Sequence, residues 1–81
     1  MRAMPAAELI DVVLSTLNAT EVGTLESITA KLRQVQDDLS RLEQPALAAR
    51  AAEVIVALGR GDMTEFRRGK AFLQSKVGHL R

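Results

Sequence analysis

The chain of 81 residues contains no cysteine, no tryptophan and no tyrosine, and its only aromatic side chains are two phenylalanines. Without cysteine it has neither a disulfide framework nor a thiolate metal site. The single histidine, His79, cannot supply a cluster of imidazole ligands. Because a chain this short buries only about 60% of its unfolded surface, we expect association with another chain to supplement the small core.

The sequence also lacks an export signal and a membrane span. Its most apolar N-terminal stretch, residues 9–17, is interrupted by Asp11 and preceded by Glu8. A secretory signal needs an uninterrupted apolar segment after a positively charged start, and a spanning helix needs about 20 apolar residues. We therefore expect an intracellular, cytoplasmic protein without a membrane segment.

The formal net charge of +1 conceals an uneven distribution. Residues 1–59 carry five basic and eight acidic side chains, whereas residues 60–81 carry six basic and two acidic ones. This asymmetry favours electrostatic complementarity within the fold or between subunits, and the alternative is an anionic partner.

Aliphatic residues dominate what is present, and six of them follow a heptad pattern in the middle of the chain. Their spacings of 3, 4, 3, 4 and 3 predict a helix whose seam packs against other helices. Leucine occupies the first heptad position, and two of the three residues at the second apolar position, Ile28 and Val35, are β-branched. This order favours four-helix packing over a parallel zipper. The seam consists of Leu25, Ile28, Leu32, Val35, Leu39 and Leu42.

Turn and cap residues divide the chain into four predicted helices. Thr24 and Asp62 can accept hydrogen bonds from free backbone N–H groups, and Glu65 would complete a capping box with Asp62. Thr20 is a competing cap for the second helix. Asn18 is expected to end the first helix in a left-handed conformation, and Pro45 suits the first position of a helix. The predicted helices cover about residues 5–18, 24–43, 45–58 and 62–78 of one domain, residues 1–81.

The third predicted helix is apolar on two sides. Its main face is expected to lie in the core, and a second strip, formed by Ala49, Ala52 and Val56, lies opposite. A helix with two apolar sides is covered on both. The strip is therefore a candidate oligomer contact.

The fourth predicted helix carries a candidate surface for a partner or an anion: Arg67, Arg68, Lys70, Phe72 and Lys76. A helical wheel divides its cations between the two flanks of the apolar stripe. A helix that reads a DNA groove would present one basic stripe with polar side chains. The pattern favours a subunit contact or a protein partner with acidic residues over nucleic acid.

No catalytic, cofactor or metal site is predicted. Asp37 and Asp38 are adjacent, so on a helix they point about 100° apart and do not form a proton-sharing pair. Both are expected on a solvated face.

We expect a non-enzymatic all-α protein, an up-down bundle of about four helices completed by homo-oligomerisation, with a dimer favoured. It would act as a small adaptor or regulatory module. The alternatives are a weakly basic nucleic-acid-associated protein that uses the last helix, and a component of a larger assembly.

Overall fold

The structure, a computed structural model, describes residues 4–81, and these residues form four α-helices and one 3₁₀ turn without any strand. The predicted all-α class with four helices is confirmed. Residues 1–3 of the predicted domain lie outside the described residues. The helices are α1 (Ala6–Asn18), α2 (Leu25–Arg41), α3 (Pro45–Gly59) and α4 (Met63–Gly78), and the 3₁₀ turn is Ala19–Glu21.

Side-chain caps fix the starts of α2 and α4. The Thr24 hydroxyl accepts a hydrogen bond from the Ser27 N–H at 3.1 Å, and the Asp62 carboxylate accepts one from the Glu65 N–H at 3.1 Å. Both predicted caps are therefore present. The full capping box is wrong, because Asp62 donates its own N–H to Ala57 and the Glu65 carboxylate is bound to Arg50 instead.

The end of α1 differs from the prediction. Asn18 stays right-handed, with φ −63°, and the chain continues into the 3₁₀ turn. Thr20 is buried there, and its hydroxyl donates a 2.7 Å hydrogen bond to the Leu17 carbonyl. This bond satisfies a carbonyl at the helix end, so no left-handed residue is needed at position 18.

The core lies between all four helices, since α1 and α3 each pack against α2 and α4. Within the heptad seam Leu32, Val35 and Leu39 have no exposed surface, while Ile28 and Leu42 are half-buried at the edge of the core. Leu25 is 57% exposed, so the seam is packed within this chain only from Ile28 onward. The buried apolar core consists of Ile10, Val13, Leu17, Leu32, Val35, Leu39, Ala48, Ala51, Val54, Ala57, Leu58, Phe66, Leu73 and Val77.

Helices α3 and α4 approach closely at Gly69. A Cβ atom at this position would lie 2.4 Å from Cγ2 of Val54, which is closer than carbon atoms can pack. A larger residue at position 69 would therefore force Val54 or one of the two helices to shift. This contact sets the separation of the side chains that form the candidate site.

Candidate functional site

The five residues predicted as a partner or anion surface lie on two different sides of α4. Arg67 and Lys70 line a groove beside the 3₁₀ turn. Arg68, Phe72 and Lys76 lie on the side next to α3. The structure therefore divides the predicted surface into two regions with different chemistry.

In the region next to α3, Arg50 of α3 contacts carboxylates on both helices. Its Nη1 lies 2.6 Å from Oε2 of Glu53, and its Nη2 lies 3.2 Å from Oε1 of Glu65 on α4. The hydrogen bond to Glu53 is the main cause that raises the pKa of Arg50 above its ordinary value. Partial burial opposes that rise, and Glu65 adds to it. Arg50 thus remains charged and links the two helices.

The Phe72 ring lies between two cations. Its centroid is 5.6 Å from the Arg50 guanidinium carbon and 5.7 Å from Lys76 Nζ, within the range of cation–π attraction. The residue is nevertheless 41% exposed. The arrangement places a partly exposed aromatic ring beside two cations at the surface.

A groove of about 350 Å³ adjoins this ring through Arg50. Its apolar wall is formed by Ala52, Val56 and Ala57. Val56 is 55% exposed, Ala52 is half-buried and Ala49 is exposed. The predicted oligomer strip is therefore left open by the helices of this chain.

We call this region the α3–α4 face. Besides its apolar residues it carries both signs of charge. Arg60 and Lys76 have no carboxylate within 4.0 Å among residues 4–81, whereas Arg68 lies 3.5 Å from Glu65. The face consists of Ala49, Ala52, Val56 and Phe72, the cations Arg50, Arg60, Arg68 and Lys76, and the carboxylates Glu53, Asp62 and Glu65.

The region beside the 3₁₀ turn is a groove of about 430 Å³, which we call the Lys70 groove. The Lys70 side chain is only 9% exposed, and its Nζ lies 3.4 Å from Oε1 of Glu21. Sequence reasoning placed Lys70 on a flank of the apolar stripe. The signal for its burial was the 4, 3, 4 spacing of Phe66, Lys70, Leu73 and Val77, which is that of a core stripe.

Asp38 is a further buried charge that the sequence prediction missed. It was expected on a solvated face, but it is 2% exposed. Gln34 Nε2 donates a 2.9 Å hydrogen bond to its carboxylate, and Arg41 Nη1 lies 3.9 Å away. These two partners on the same helix compensate the cost of burying the Asp38 carboxylate, so its burial is explained by structure alone.

Within residues 4–81, no three histidine, cysteine or carboxylate side chains converge as metal ligands. None of the four described helices combines the length and apolar character needed to cross a membrane.

Comparisons of the chain with protein-family models, with curated proteins and with solved structures find no match.

Proposed function

We propose that this chain is a non-enzymatic interaction module, a four-helix bundle in up-down order that acts as a homodimer. In this proposal the α3–α4 face is the subunit interface, and the dimer serves as a small adaptor or regulatory protein. The observation that carries it is the exposure of Val56 and Phe72 on one face, connected by Arg50. Rigid aromatic side chains beside arginine are typical of interface centres.

The charges of the face support a second copy as the occupant. A two-fold interface brings the same surface together twice, so a face with both signs of charge can pair the cations of one copy with the carboxylates of the other. Four cations and three carboxylates lie on the α3–α4 face. Arg60 and Lys76, which have no carboxylate partner among residues 4–81, are available for such pairs. The net charge of +1 gives little repulsion between two copies.

Sedimentation velocity across a concentration series tests the dimer. Val56→Glu and Phe72→Glu are expected to shift the protein to a monomer. Because binding of a second copy stabilises the folded state, the melting temperature of the wild type should rise with protein concentration, and that of the two variants should not. Val22→Glu is the matched control, since Val22 is 77% exposed and follows Glu21, which lines the Lys70 groove instead of the α3–α4 face. A wild-type chain that stays monomeric at high concentration would refute the proposal.

The alternative, nucleic-acid binding through α4, is distinguished by its salt dependence. Each phosphate contact makes affinity fall steeply with salt. Labelled duplex and single-stranded DNA should therefore be titrated at low and moderate salt with wild type, Arg67→Ala and Arg68→Ala. Micromolar binding with a steep salt slope, weakened by both substitutions and unchanged by Phe72→Ala, would favour this alternative.

A further inference from the structure

The Lys70 groove has features that a purely structural role does not explain. One wall is apolar and is formed by Ile28, Leu58, Met63 and Phe66. Its volume of about 430 Å³ falls in the range of small-molecule sites. The groove is lined by the 3₁₀ turn, by one residue each of α2 and α3, and by α4 from Met63 to Gln74.

Lys70 is the most unusual group of this groove. An ammonium has three N–H donors and is costly to bury unless they are bound. Among residues 4–81 its only hydrogen-bond partner is Glu21, at 3.4 Å. Glu21 itself is 74% exposed, so water screens this pair and the carboxylate is free to move away. Lys70 thus keeps donor capacity beside an apolar wall.

The other polar groups around Lys70 leave the groove positive. Arg67 lines it and has no carboxylate within 4.0 Å among residues 4–81. Thr20 and Gln74 already donate to Leu17 and Asn18. Among residues 4–81 the lining contains one acid, Glu21, which pairs with Lys70 through a long contact of 3.4 Å. Two cations against one displaceable carboxylate attract an anion.

We propose that the Lys70 groove binds an aliphatic carboxylate of medium chain length. The carboxylate head accepts hydrogen bonds from Lys70 and Arg67, taking the place of the Glu21 carboxylate. The tail lies on Ile28, Leu58, Met63 and Phe66. An aliphatic tail suits this wall because three of its four side chains are aliphatic or thioether, and the Phe66 ring is buried rather than free to stack.

Titration of the full chain with octanoate, followed by ¹⁵N and methyl NMR, tests the proposal directly. We expect shifts at Ile28, Leu58, Met63 and Lys70, with a dissociation constant below about 1 mM, and none around Phe72. Octanol and octylammonium keep the tail but change the head, and acetate keeps the head without the tail. All three should bind much more weakly than octanoate.

Three substitutions assign the head-group contacts. Lys70→Met keeps the apolar stem and removes the charge, so octanoate affinity should fall about tenfold or more. Arg67→Gln should lower it less. Glu21→Gln removes the competing carboxylate, so affinity should rise severalfold, whereas Glu26→Gln, an exposed acid of α2, should change nothing. Because positions 21 and 67 are exposed, their variants still decide the question should Lys70→Met unfold.

Several results would overturn the carboxylate site. Equal binding of octanol and octanoate would make the groove a simple apolar surface. Shifts confined to the α3–α4 face, or no shifts at millimolar octanoate, would remove the site altogether. The test does not depend on the dimer proposal, since the groove lies on the other side of α4 and its variants leave Val56 and Phe72 unchanged.

Discussion

Helix α3 belongs to two helical hairpins: the first is formed by α2 and α3, and the second by α3 and α4. Their turns close in the same way, but their helices pack differently. After α2, the N–H groups of Glu43 and Gln44 bond back to Ser40 and Leu39 at 3.0 and 2.9 Å. After α3, those of Gly61 and Asp62 bond back to Leu58 and Ala57 at 3.1 and 2.9 Å. Both are Schellman motifs, in which the residue after the cap is left-handed.

The two hairpins differ in how closely their helices approach. Helix α2 brings the large side chains Leu32, Val35 and Leu39 into the core with no exposed surface. Helix α4 instead places Gly69 against Val54, and Arg50 and Glu65 pair beside this contact. Both hairpins bury large apolar side chains, and α4 contributes Phe66, Leu73 and Val77. Only the second hairpin also brings its helices together at a glycine, and it leaves Val56 and Phe72 exposed beside that contact.

The largest effect is expected from removing aliphatic volume in the first hairpin. Leu39→Ala should lower the free energy of unfolding by about 2–5 kcal/mol, because the surrounding core cannot fill the cavity. Urea denaturation followed by circular dichroism measures it. Leu25→Ala is the matched control on the same helix, and at 57% exposure it should change stability by no more than about 0.5 kcal/mol. Equal losses at both positions would contradict the unequal burial of the seam.

A smaller loss is expected from adding one methyl group to the second hairpin. Gly69→Ala should cost about 1–3 kcal/mol, since Val54 is β-branched and cannot rotate its Cγ2 away freely. Gly59→Ala, with open space at its Cβ, should leave stability almost unchanged or slightly raised. In Gly69→Ala combined with Val54→Ala the two losses should be less than additive, because the second change removes the clash. Strict additivity would show that Gly69 does not act through Val54.

The first hairpin was largely predictable because its determinants are local. Heptad spacing identified Leu32, Val35 and Leu39, and the cap at Thr24 depends on residues three positions apart. Pro45 also opens α3 at its predicted position. Such patterns are visible in the sequence because the residues that form them lie close together along one helix.

The candidate sites were less predictable because they depend on pairs distant in the chain. Arg50 meets Glu65 fifteen residues later, and Lys70 meets Glu21 across 49 residues. The sequence identified Phe72 and its neighbouring cations, but a helical wheel cannot show which flank lies against another helix. The wheel placed Lys70 and Arg68 on opposite flanks, but it could not show that Lys70 is buried beside Glu21 or that Arg68 lies next to Glu65.

The smallest effect concerns the two turns. Glu43 adopts φ +58° where the equivalent residue of the second hairpin, Gly61, adopts φ +74°. A residue with a Cβ pays a steric cost in the left-handed region, which the greater freedom of glycine in the unfolded chain only partly offsets. Glu43→Gly should therefore stabilise the fold by about 0.5–1 kcal/mol, measured by urea denaturation. Gly61→Ala is the reverse exchange, and we expect it to lower the free energy of unfolding by about 1 kcal/mol. A Cβ added at position 61 would meet no atom within 4 Å, so this loss would come from the backbone conformation alone. If Glu43→Gly were instead destabilising, the Glu43 side chain would have to make a contact in the folded chain that outweighs its backbone cost, and the two turns would not be equivalent.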